Sequence, residues 1–481
     1  MDRSSLNKTG EDDEDQSLEE EVDPAPECLH VRRDEPTRRL KPRFTPVDYG
    51  QRTLRMVRGS VRWLLLLTVV IGCTAPPARE AVVLRIAVWG PLGEMAPIGH
   101  ESALASIALP WVFEKLVTVD ATGQLTPLLA GRIERLSSGQ IRLELRQGAT
   151  FSDGSPVTDG DIIRSLESGG ISVTGSGGVF VVESRQLGVP PDPLLLQTQI
   201  FRESQGRYLG SGPFAVASQS ETEIRLTRRV PRSGRVNDVR LVAYATPRDA
   251  FAHTLRGDAN VIFDLESRWL EFFRGVPSLQ IVRGAGRSTD AIIFNPDLPR
   301  RERLQLATLL ASPRLRELTY GTGECAETSG TANAETTIPP GPPLRLLSWG
   351  IFERLALAAR RTLADRGGEV VHATPKETIS RMKNRDFDLV TARPTSWPPT
   401  MMALLWRTGS PNNLVGYSNR EVDRAIDAGD WARAESALLE DPPAALVCTR
   451  NHLAVVDVRI KNPVLGPYEL LETLPEWEVA Q

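Results

Sequence analysis

The chain has 481 residues, of which 41% are hydrophobic and 25% are charged, as in soluble globular proteins, and it is long enough for more than one domain. Its formal net charge of −4, with both signs interspersed, excludes the strongly basic surface of a nucleic-acid-binding protein. The five histidines are scattered and none are paired at metal-ligand spacing, so the sequence indicates neither a metal site nor a cofactor.

The N-terminal part of the chain resembles a leader followed by a secretory signal. Residues 1–55 hold an acidic block and then a basic, proline-bearing stretch without periodicity, which predicts disorder. Residues 56–73 have a basic start, a short Leu/Val body and the ending Val-Ile-Gly-Cys, which resembles a bacterial lipoprotein signal with Cys73 as the lipidated residue. The alternative is an uncleaved anchor or a buried core helix, although the apolar run is about half of the ~20 residues that span a membrane.

The position of Met56 bears on where the protein begins. A start at Met56 would yield a signal of ordinary length, so residues 1–55 are interpreted as an upstream mis-start. A cytoplasmic tail on a membrane-anchored protein is the alternative, and mass spectrometry of the natural N-terminus distinguishes the two. Residues 74–81 are interpreted as a linker.

Short strands and helices alternate after the linker. Residues 82–88 are predicted to form a strand and the apolar run 102–115 a helix. The strictly alternating "IRLELR" predicts a half-buried strand, and Thr158, followed by Asp161, predicts the capped start of a helix over "DIIRSLES". Further strands are predicted over residues 223–227, 239–244 and 291–295.

The stretch 342–393 has the most regular pattern. "LRLLSW", "EVVHA" and "FDLVTA" are strand patterns separated by a helix over 352–366 and by "ETISRMKNR", which opens with a capping box from Thr374 to Glu377. Alternation of strands and helices predicts parallel pairing through right-handed crossovers, and therefore an α/β layer.

From residue 82 to the end the chain resembles the family 5 extracellular solute-binding proteins, the peptide- and nickel-type receptors of ABC importers. The stretches that carry the resemblance are "WVFEKLVTVDATGQLTPLLAG", "ELRQGATFSDGSPVTDGDIIRSLES", "GSGPFAV", "FDLVTA", "NNLVGYSNREVDRAID" and "LLEDPPAALV", in the family's order. The resemblance implies an α/β, two-lobed, periplasmic-binding-protein-like fold of type II with an accessory domain, its discontinuous lobes surrounding a ligand cleft. Carried over by order, lobe I takes residues 82–116, 207–283 and 455–481, the accessory domain 117–206, and lobe II 284–454.

The function that the resemblance implies is binding, without catalysis. The protein would be a periplasmic or cell-surface lipoprotein that binds a small organic or peptide-like solute in the cleft and delivers it to an ABC permease. A lipoprotein of the same fold that acts as a sensor or scaffold without transport is the alternative. An extracytoplasmic hydrolase is a weaker one, because the sequence has no G-x-S-x-G or H-E-x-x-H pattern.

The candidate ligand-binding residues follow "FDLVTA", because residues beyond the carboxyl end of a parallel strand line the crevice of an α/β sheet. In peptide-binding relatives this loop carries an aspartate that pairs with the ligand's α-ammonium, whereas here the matching position falls near Trp397. Trp397 and Arg393 favour an apolar or acidic solute, with Arg393 binding a carboxylate. Alternatively, Trp397 fills the core and Arg393 is solvated. Tyr417, in "GYSN", and Trp89, after the first strand, are further cleft candidates.

Two other sets of residues have structural interpretations. Asp153 and Asp161 of the family signature are explained by a turn and a helix cap. Cys325 and Cys448 either form a disulfide, which export would permit, or remain as two separate buried thiols.

Overall fold

A computed structural model describes residues 83–98, 103–137, 139–186, 188–321, 325, 338, 340–395 and 397–480. These residues belong to one compact unit, Ala75–Gln481. The predicted leader, signal, lipidated Cys73 and linker lie outside the described residues. Among the residues that are described, no helix combines the length and the apolar character needed to cross a membrane.

The described residues form twenty strands and twelve α-helices. The strands are β1 (Val83–Trp89), β2 (Val117–Val119), β3 (Leu125–Pro127), β4 (Ala130–Arg135), β5 (Gln140–Leu145), β6 (Ile171–Ser176), β7 (Val179–Ser184), β8 (Phe201–Ser204), β9 (Arg207–Gly210), β10 (Phe214–Gln219), β11 (Glu223–Arg228), β12 (Asp238–Tyr244), β13 (Val261–Phe263), β14 (Leu279–Phe294), β15 (Leu344–Ser348), β16 (Gly367–His372), β17 (Leu389–Ala392), β18 (Ala444–Asp457), β19 (Ile460–Lys461) and β20 (Glu478–Val479). The helices are α1 (Ala103–Ser106), α2 (Leu109–Val112), α3 (Asp159–Ser168), α4 (Pro191–Gln197), α5 (Pro247–Arg256), α6 (Arg300–Leu310), α7 (Pro313–Tyr320), α8 (Glu353–Thr362), α9 (Pro375–Lys383), α10 (Met401–Trp406), α11 (Arg420–Asp427) and α12 (Trp431–Glu440).

A ten-stranded sheet organises the molecule, in the order β10-β11-β12-β1-β13-β18-β14-β17-β15-β16. In one half of this sheet β1 runs parallel to β12 and β13, and in the other half β15 runs parallel to β16 and β17. The parallel pairing predicted from "LRLLSW", "EVVHA" and "FDLVTA" is therefore confirmed. Apolar cores cover both halves, one around β1, β12 and the C-terminal segment, and another between β14, β15 and helices α6 to α8.

Two long antiparallel strands, β14 with 16 residues and β18 with 14, connect the two halves. β18 also pairs with β13 of the first half, and β14 pairs with β17 of the second. The register between them shifts from Arg283 to Arg287 and again from Asp290 to Ala291. The lobe boundaries expected from the sequence fall within these two strands, of which the sequence predicted only the end of β14.

A separate four-stranded sheet, β4-β5-β7-β6, packs with α3 and α4, and the stretch "ELRQGATFSDGSPVTDGDIIRSLES" runs from the end of β5 into α3. The main-chain N–H of Thr158 donates to Asp161 over 2.9 Å, so the predicted cap of α3 is confirmed. Arg202 of β8 donates from Nε (2.9 Å) and from a terminal nitrogen (2.5 Å) to the same carboxylate. Burial works to raise the pKa of Asp161, but the hydrogen bonds from Arg202 and Thr158 outweigh it and lower that pKa. These contacts fasten the start of α3 to β8.

Asp161→Asn is expected to lower the free energy of unfolding by about 2 kcal/mol, because Arg202 loses a charged hydrogen-bond partner in a largely buried place. Urea denaturation measures the loss. Glu167→Gln in the same helix is the matched control, since Glu167 and its partner Arg185 are both exposed and their pair is worth less than about 1 kcal/mol. Equal losses in the two variants would contradict the structural role assigned to Asp161.

The helix predicted over 102–115 is two short helices, α1 and α2, separated at residues 107 and 108. Pro110 has no main-chain N–H and so cannot bond to the carbonyl of Ser106, four residues earlier, which ends the first helix. The prediction of one continuous helix was therefore wrong.

Cys325 and Cys448 form a disulfide. Cys448 lies on β18 and is fully buried against the core beside α6 to α8. Of the two states that the sequence left open, the structure has the paired one.

Candidate ligand-binding cleft

A cleft of about 1240 Å³ opens between the two halves of the ten-stranded sheet. One side comes from the end of β1 and the loop after it, from α1, from the β8–β9 hairpin and from Tyr468 and Leu470. The other side comes from residues 349–351 after β15, from the start of α9 and from Arg393 after β17. Ser288 of β14 and His452 of β18 complete the lining, so the two connecting strands also reach the cleft.

The cleft lies at the carboxyl ends of parallel strands in both halves of the sheet. Trp89 is the last residue of β1 and Phe263 the last of β13, while Trp349 directly follows β15 and Arg393 directly follows β17. All four line the cleft, as expected for the crevice at the end of a parallel sheet. The main chain thus brings together residues that are far apart in sequence.

Aromatic side chains give the cleft a large apolar surface. Those in its lining are Trp89, Tyr208, Phe263, Trp349 and Tyr468. Trp89 packs edge-on against Phe251 with ring centroids 6.4 Å apart, and Trp349 contacts Phe352 at 5.7 Å, so packing holds both indoles in place. Rings fixed in this way can cover an apolar face of a solute with little loss of side-chain entropy.

Arg393 lies in the cleft but its guanidinium is already paired with carboxylates of the protein. Its Nε donates to Asp290 over 2.6 Å and a terminal nitrogen donates to Asp264 over 2.7 Å. Burial alone would lower the pKa of Arg393, but the charges of Asp264 and Asp290 raise it above its ordinary value. The role expected of Arg393, binding a solute carboxylate, stays a prediction, and any such solute would meet a guanidinium whose charge Asp264 and Asp290 already compensate.

The pair between Arg393 and Asp264 also connects the two sides of the cleft. Asp264 follows β13 in the first half of the sheet, and Arg393 follows β17 in the second. Asp290 behind them has a side chain only 3% exposed, and it also accepts a hydrogen bond from the Tyr320 hydroxyl over 2.9 Å. Arg450 of β18 lies 3.8 Å from both aspartates. Two arginines and two aspartates thus form a charge-balanced cluster beneath the cleft.

The structure does not bring Trp397 and Tyr417 to this cleft. Trp397 is half-buried and packs against the core that α10 to α12 share with the four-stranded sheet, near Gly123. Tyr417 is 2% exposed, packs against Trp406, and donates its hydroxyl to the carbonyl of Asp441 over 2.8 Å. Tyr417 is a buried core residue and Trp397 packs half-buried against the same core, so we correct their assignment and do not carry them into the site.

Several lining residues were not singled out from the sequence. Trp349 was detectable, because it ends the predicted strand "LRLLSW" and the rule that selected Arg393 applies to it equally. Asp264 follows a three-residue strand that was too short to predict. Tyr208 and Tyr468 come from a hairpin and from the C-terminal segment, and no local pattern marks either of them.

Charged residues lie around Tyr468, one of the residues that line the cleft. Lys115, whose side chain is 6% exposed, donates to Glu469 over 2.5 Å and lies 5.1 Å from the centre of the Tyr468 ring. Glu472 approaches the main chain at Gly466 so closely that a side chain at that glycine would collide with it. Burial and the charge of Glu469 raise the pKa of Glu472 to about 7.

Glu472 is expected to make stability depend on pH between about 4.5 and 7. The native protein holds this proton up to pH about 7, whereas the unfolded chain releases it near the ordinary value of 4.5. The stabilisation is complete below pH 4.5 and is lost as pH rises to 7. Over this range the free energy of unfolding of the wild type, relative to that of Glu472→Gln, should therefore fall by about 2–3 kcal/mol. Denaturation of both proteins at pH 4.5, 6 and 8 measures the difference, and a constant difference would contradict the assignment.

Known proteins are similar to this chain in structure and not in sequence. No protein-family model matches the sequence, and no curated protein matches it. The solved structures that resemble it include the binding protein AgaA from A. tumefaciens R10 in complex with agropinic acid, with a TM-score of 0.68, 15% identity, and coverage of 83% of this chain and 99% of that one. The oligopeptide-binding protein AppA from Bacillus subtilis, in complex with a nonapeptide, has a TM-score of 0.66 and 15% identity over 83% and 99% of the two chains. NikA from Staphylococcus aureus, in complex with Ni(L-His)2, has a TM-score of 0.65 and 13% identity over 82% and 99%.

The likeness extends over nearly the whole length of each of these structures, so it concerns the complete fold and not a shared fragment. The ten-stranded sheet, its two halves and the cleft between them agree with that likeness. The chain therefore has the two-lobed, type II fold of the periplasmic binding proteins, as the sequence predicted.

Proposed function

We propose that this protein is an extracytoplasmic receptor that binds a small organic solute between its two lobes and delivers it to an ABC permease. The observation that carries the proposal is the cleft of about 1240 Å³ at the carboxyl ends of parallel strands in both halves of the sheet. A cleft with two preformed sides can bury most of a solute's surface and hold it with few polar contacts. Closure around the solute changes the outer surface that a permease recognises.

The solutes bound by the structurally similar proteins support this proposal. Their solved complexes contain agropinic acid, a nonapeptide and Ni(L-His)2, which are chemically diverse solutes. The aromatic lining and the internally compensated Arg393 of this chain favour a solute with a substantial apolar face and little net charge. The role is binding without catalysis, with attachment to the membrane through lipid on Cys73.

A thermal-shift screen of the purified protein tests the proposal. The panel holds short peptides, opine-type acids, sugars and metal–histidine complexes. A solute present at 100 times its Kd adds about 2.7 kcal/mol to the free energy of unfolding, which raises the melting temperature measurably. If no class raises it, a scaffold of the same fold replaces the receptor as the better interpretation, and turnover of any panel member would instead favour an enzyme.

Trp349→Leu is expected to weaken binding of the best panel solute about 10-fold, because the indole that covers the solute is lost. Isothermal titration calorimetry measures the affinity. Trp431→Leu is the matched control, since Trp431 is also half-buried but starts α12 outside the cleft. An unchanged affinity in the Trp349 variant would place the solute elsewhere.

A further inference from the structure

Two polar side chains from the connecting strands line the cleft, His452 of β18 and Ser288 of β14, here called the cleft floor. Ser288 is opposite Arg450 in the register of the two strands, and His452 lies two positions further along β18. Because residues two apart in a strand share a face, His452 and Arg450 point to the same side of the sheet. His452 is only 7% exposed, so its ring is held by packing.

One hydrogen bond determines which ring nitrogen of His452 is free. Nδ1 lies 3.4 Å from the main-chain oxygen of Gly466, which can only accept, so Nδ1 carries the hydrogen. In the neutral ring Nε2 is then an acceptor. Nε2 has no hydrogen-bond partner among the described residues. Unlike the unpaired side-chain oxygen of Gln199, it is not fully buried, and a solute in the cleft can therefore reach it.

The charges around His452 keep its ring neutral and place it beside the cleft. Burial lowers the pKa of His452 below its ordinary value of 6.5. The charge of Asp264 and the hydrogen bond to Gly466 oppose this effect, whereas the charges of Arg450 and Arg393 reinforce it. Asp264 and Arg393 both line the cleft, so their action on the ring is consistent with a ring that faces it. At pH 7 Nε2 offers a lone pair and no proton.

The two groups of the cleft floor differ in what they accept from a solute. The Ser288 hydroxyl also has no hydrogen-bond partner among the described residues and is not fully buried. A hydroxyl can donate or accept, so it adapts to either kind of polar atom. Nε2 is stabilised only by an O–H or N–H group. A carboxylate, ether or ester oxygen would bring its own lone pairs against Nε2 and lose its hydration without a replacement.

We infer that His452 determines the specificity of the cleft by accepting, through Nε2, a hydrogen bond from an uncharged O–H or N–H group of the solute. An ammonium also has donors, but the aspartates of the charge-balanced cluster are already paired with arginines, so its charge would lose hydration without a free carboxylate. With the aromatic lining, this selects neutral solutes that combine an apolar face with a donor, such as alcohols and amides. The inference rests on the proposed function, because it describes the specificity of the same site.

Nuclear magnetic resonance of the purified protein with isotope-labelled histidine nitrogens tests the inference. Phenol and anisole share an aromatic face, but the methyl ether of anisole lacks the donor. Benzamide supplies an N–H donor in place of the hydroxyl, and benzoate supplies only acceptors. The chain has five histidines, so the signal of His452 is identified by its loss in a His452 variant. We expect phenol and benzamide to shift the Nε2 signal, and anisole and benzoate to leave it unchanged.

Affinities of the same probes, measured in the titrations, separate the acceptor from the shape of the ring. Phenol should bind the wild-type protein about 3- to 10-fold more tightly than anisole, the contribution of one hydrogen bond. His452→Phe keeps a planar ring without the lone pair and should lose this preference, whereas His452→Gln keeps an acceptor oxygen and should retain it. His253→Phe is the matched control, since His253 stacks on Tyr244 outside the cleft lining, and the full preference should remain.

The outcomes distinguish this inference from the proposed function. A His452 signal that no probe moves, or equal affinity for phenol and anisole in the wild-type protein, overturns the inference even if a panel solute binds the cleft. A preference that persists in His452→Phe also overturns it, because another acceptor is then responsible. A preference that depends on His452, in a protein whose melting temperature no panel solute raises, would overturn the proposed function and leave the donor requirement established.

Discussion

Replacing Cys325 and Cys448 together with alanine is expected to lower the free energy of unfolding by about 3–5 kcal/mol. The disulfide joins residues separated by 123 positions, so its loss frees a long stretch of the unfolded chain. The buried Cys448 also loses its packed sulfur within β18, which adds a smaller cost. Guanidinium denaturation of the wild-type and double-variant proteins measures the change.

Reductant provides the matched control for the disulfide. It should destabilise the wild-type protein by a similar amount and leave the double variant unchanged, because the variant has no such bond to reduce. Solute affinity should persist in the variant at low temperature, since neither cysteine lines the cleft. A loss below about 1 kcal/mol would mean that the native packing around β18, and not the covalent link, maintains this region.

Asp290→Asn is expected to cost about 3–5 kcal/mol, because it removes one charge from a buried, balanced cluster. Asparagine matches the shape of aspartate but leaves Arg393 and Arg450 with Asp264 as their nearest acidic partner. The side chain of Arg450 is only 6% exposed, so water compensates little for the lost carboxylate. Urea denaturation measures the cost.

Asp386→Asn serves as the matched control for the cluster. Asp386 pairs with Arg345 over 3.1 Å, but both side chains are about half exposed and the variant should lose less than about 1 kcal/mol. Similar losses in the two variants would show that the cluster beneath the cleft is as well solvated as the surface pair. The Asp290 variant should also weaken solute binding, since Arg393 would be released from its fixed position in the cleft.

Local interactions account for the parts of the fold that were predictable. Thr158 and Thr374 both cap helices as expected, because a cap depends on residues three positions apart. The parallel order of β15, β16 and β17 followed from the intervening helices, since a crossover connection requires them. The break at Pro110 was overlooked although its cause is also local.

Long-range contacts account for what was not predictable at the site. Arg393 was placed correctly at the end of a strand, but its partners Asp290 and Asp264 are 103 and 129 positions away. Tyr417 lies in a polar sequence that resembles an exposed loop, and the packing of distant elements buries it. No pattern in a single sequence indicates contacts between residues so far apart. The residues that surround the cleft could therefore be identified only from the structure.

The shared sheet determines whether the two lobes can be separated as independent pieces. Dividing the ten-stranded sheet between β14 and β18 would expose edges of 16 and 14 residues, which now pair with each other except at two register shifts. Long unpaired edges of this kind recruit strands from other molecules and lead to aggregation. Either half of the sheet produced by itself is therefore expected to aggregate, and biosensors derived from this protein should receive their inserted reporters in surface turns and not at the junction of the two halves.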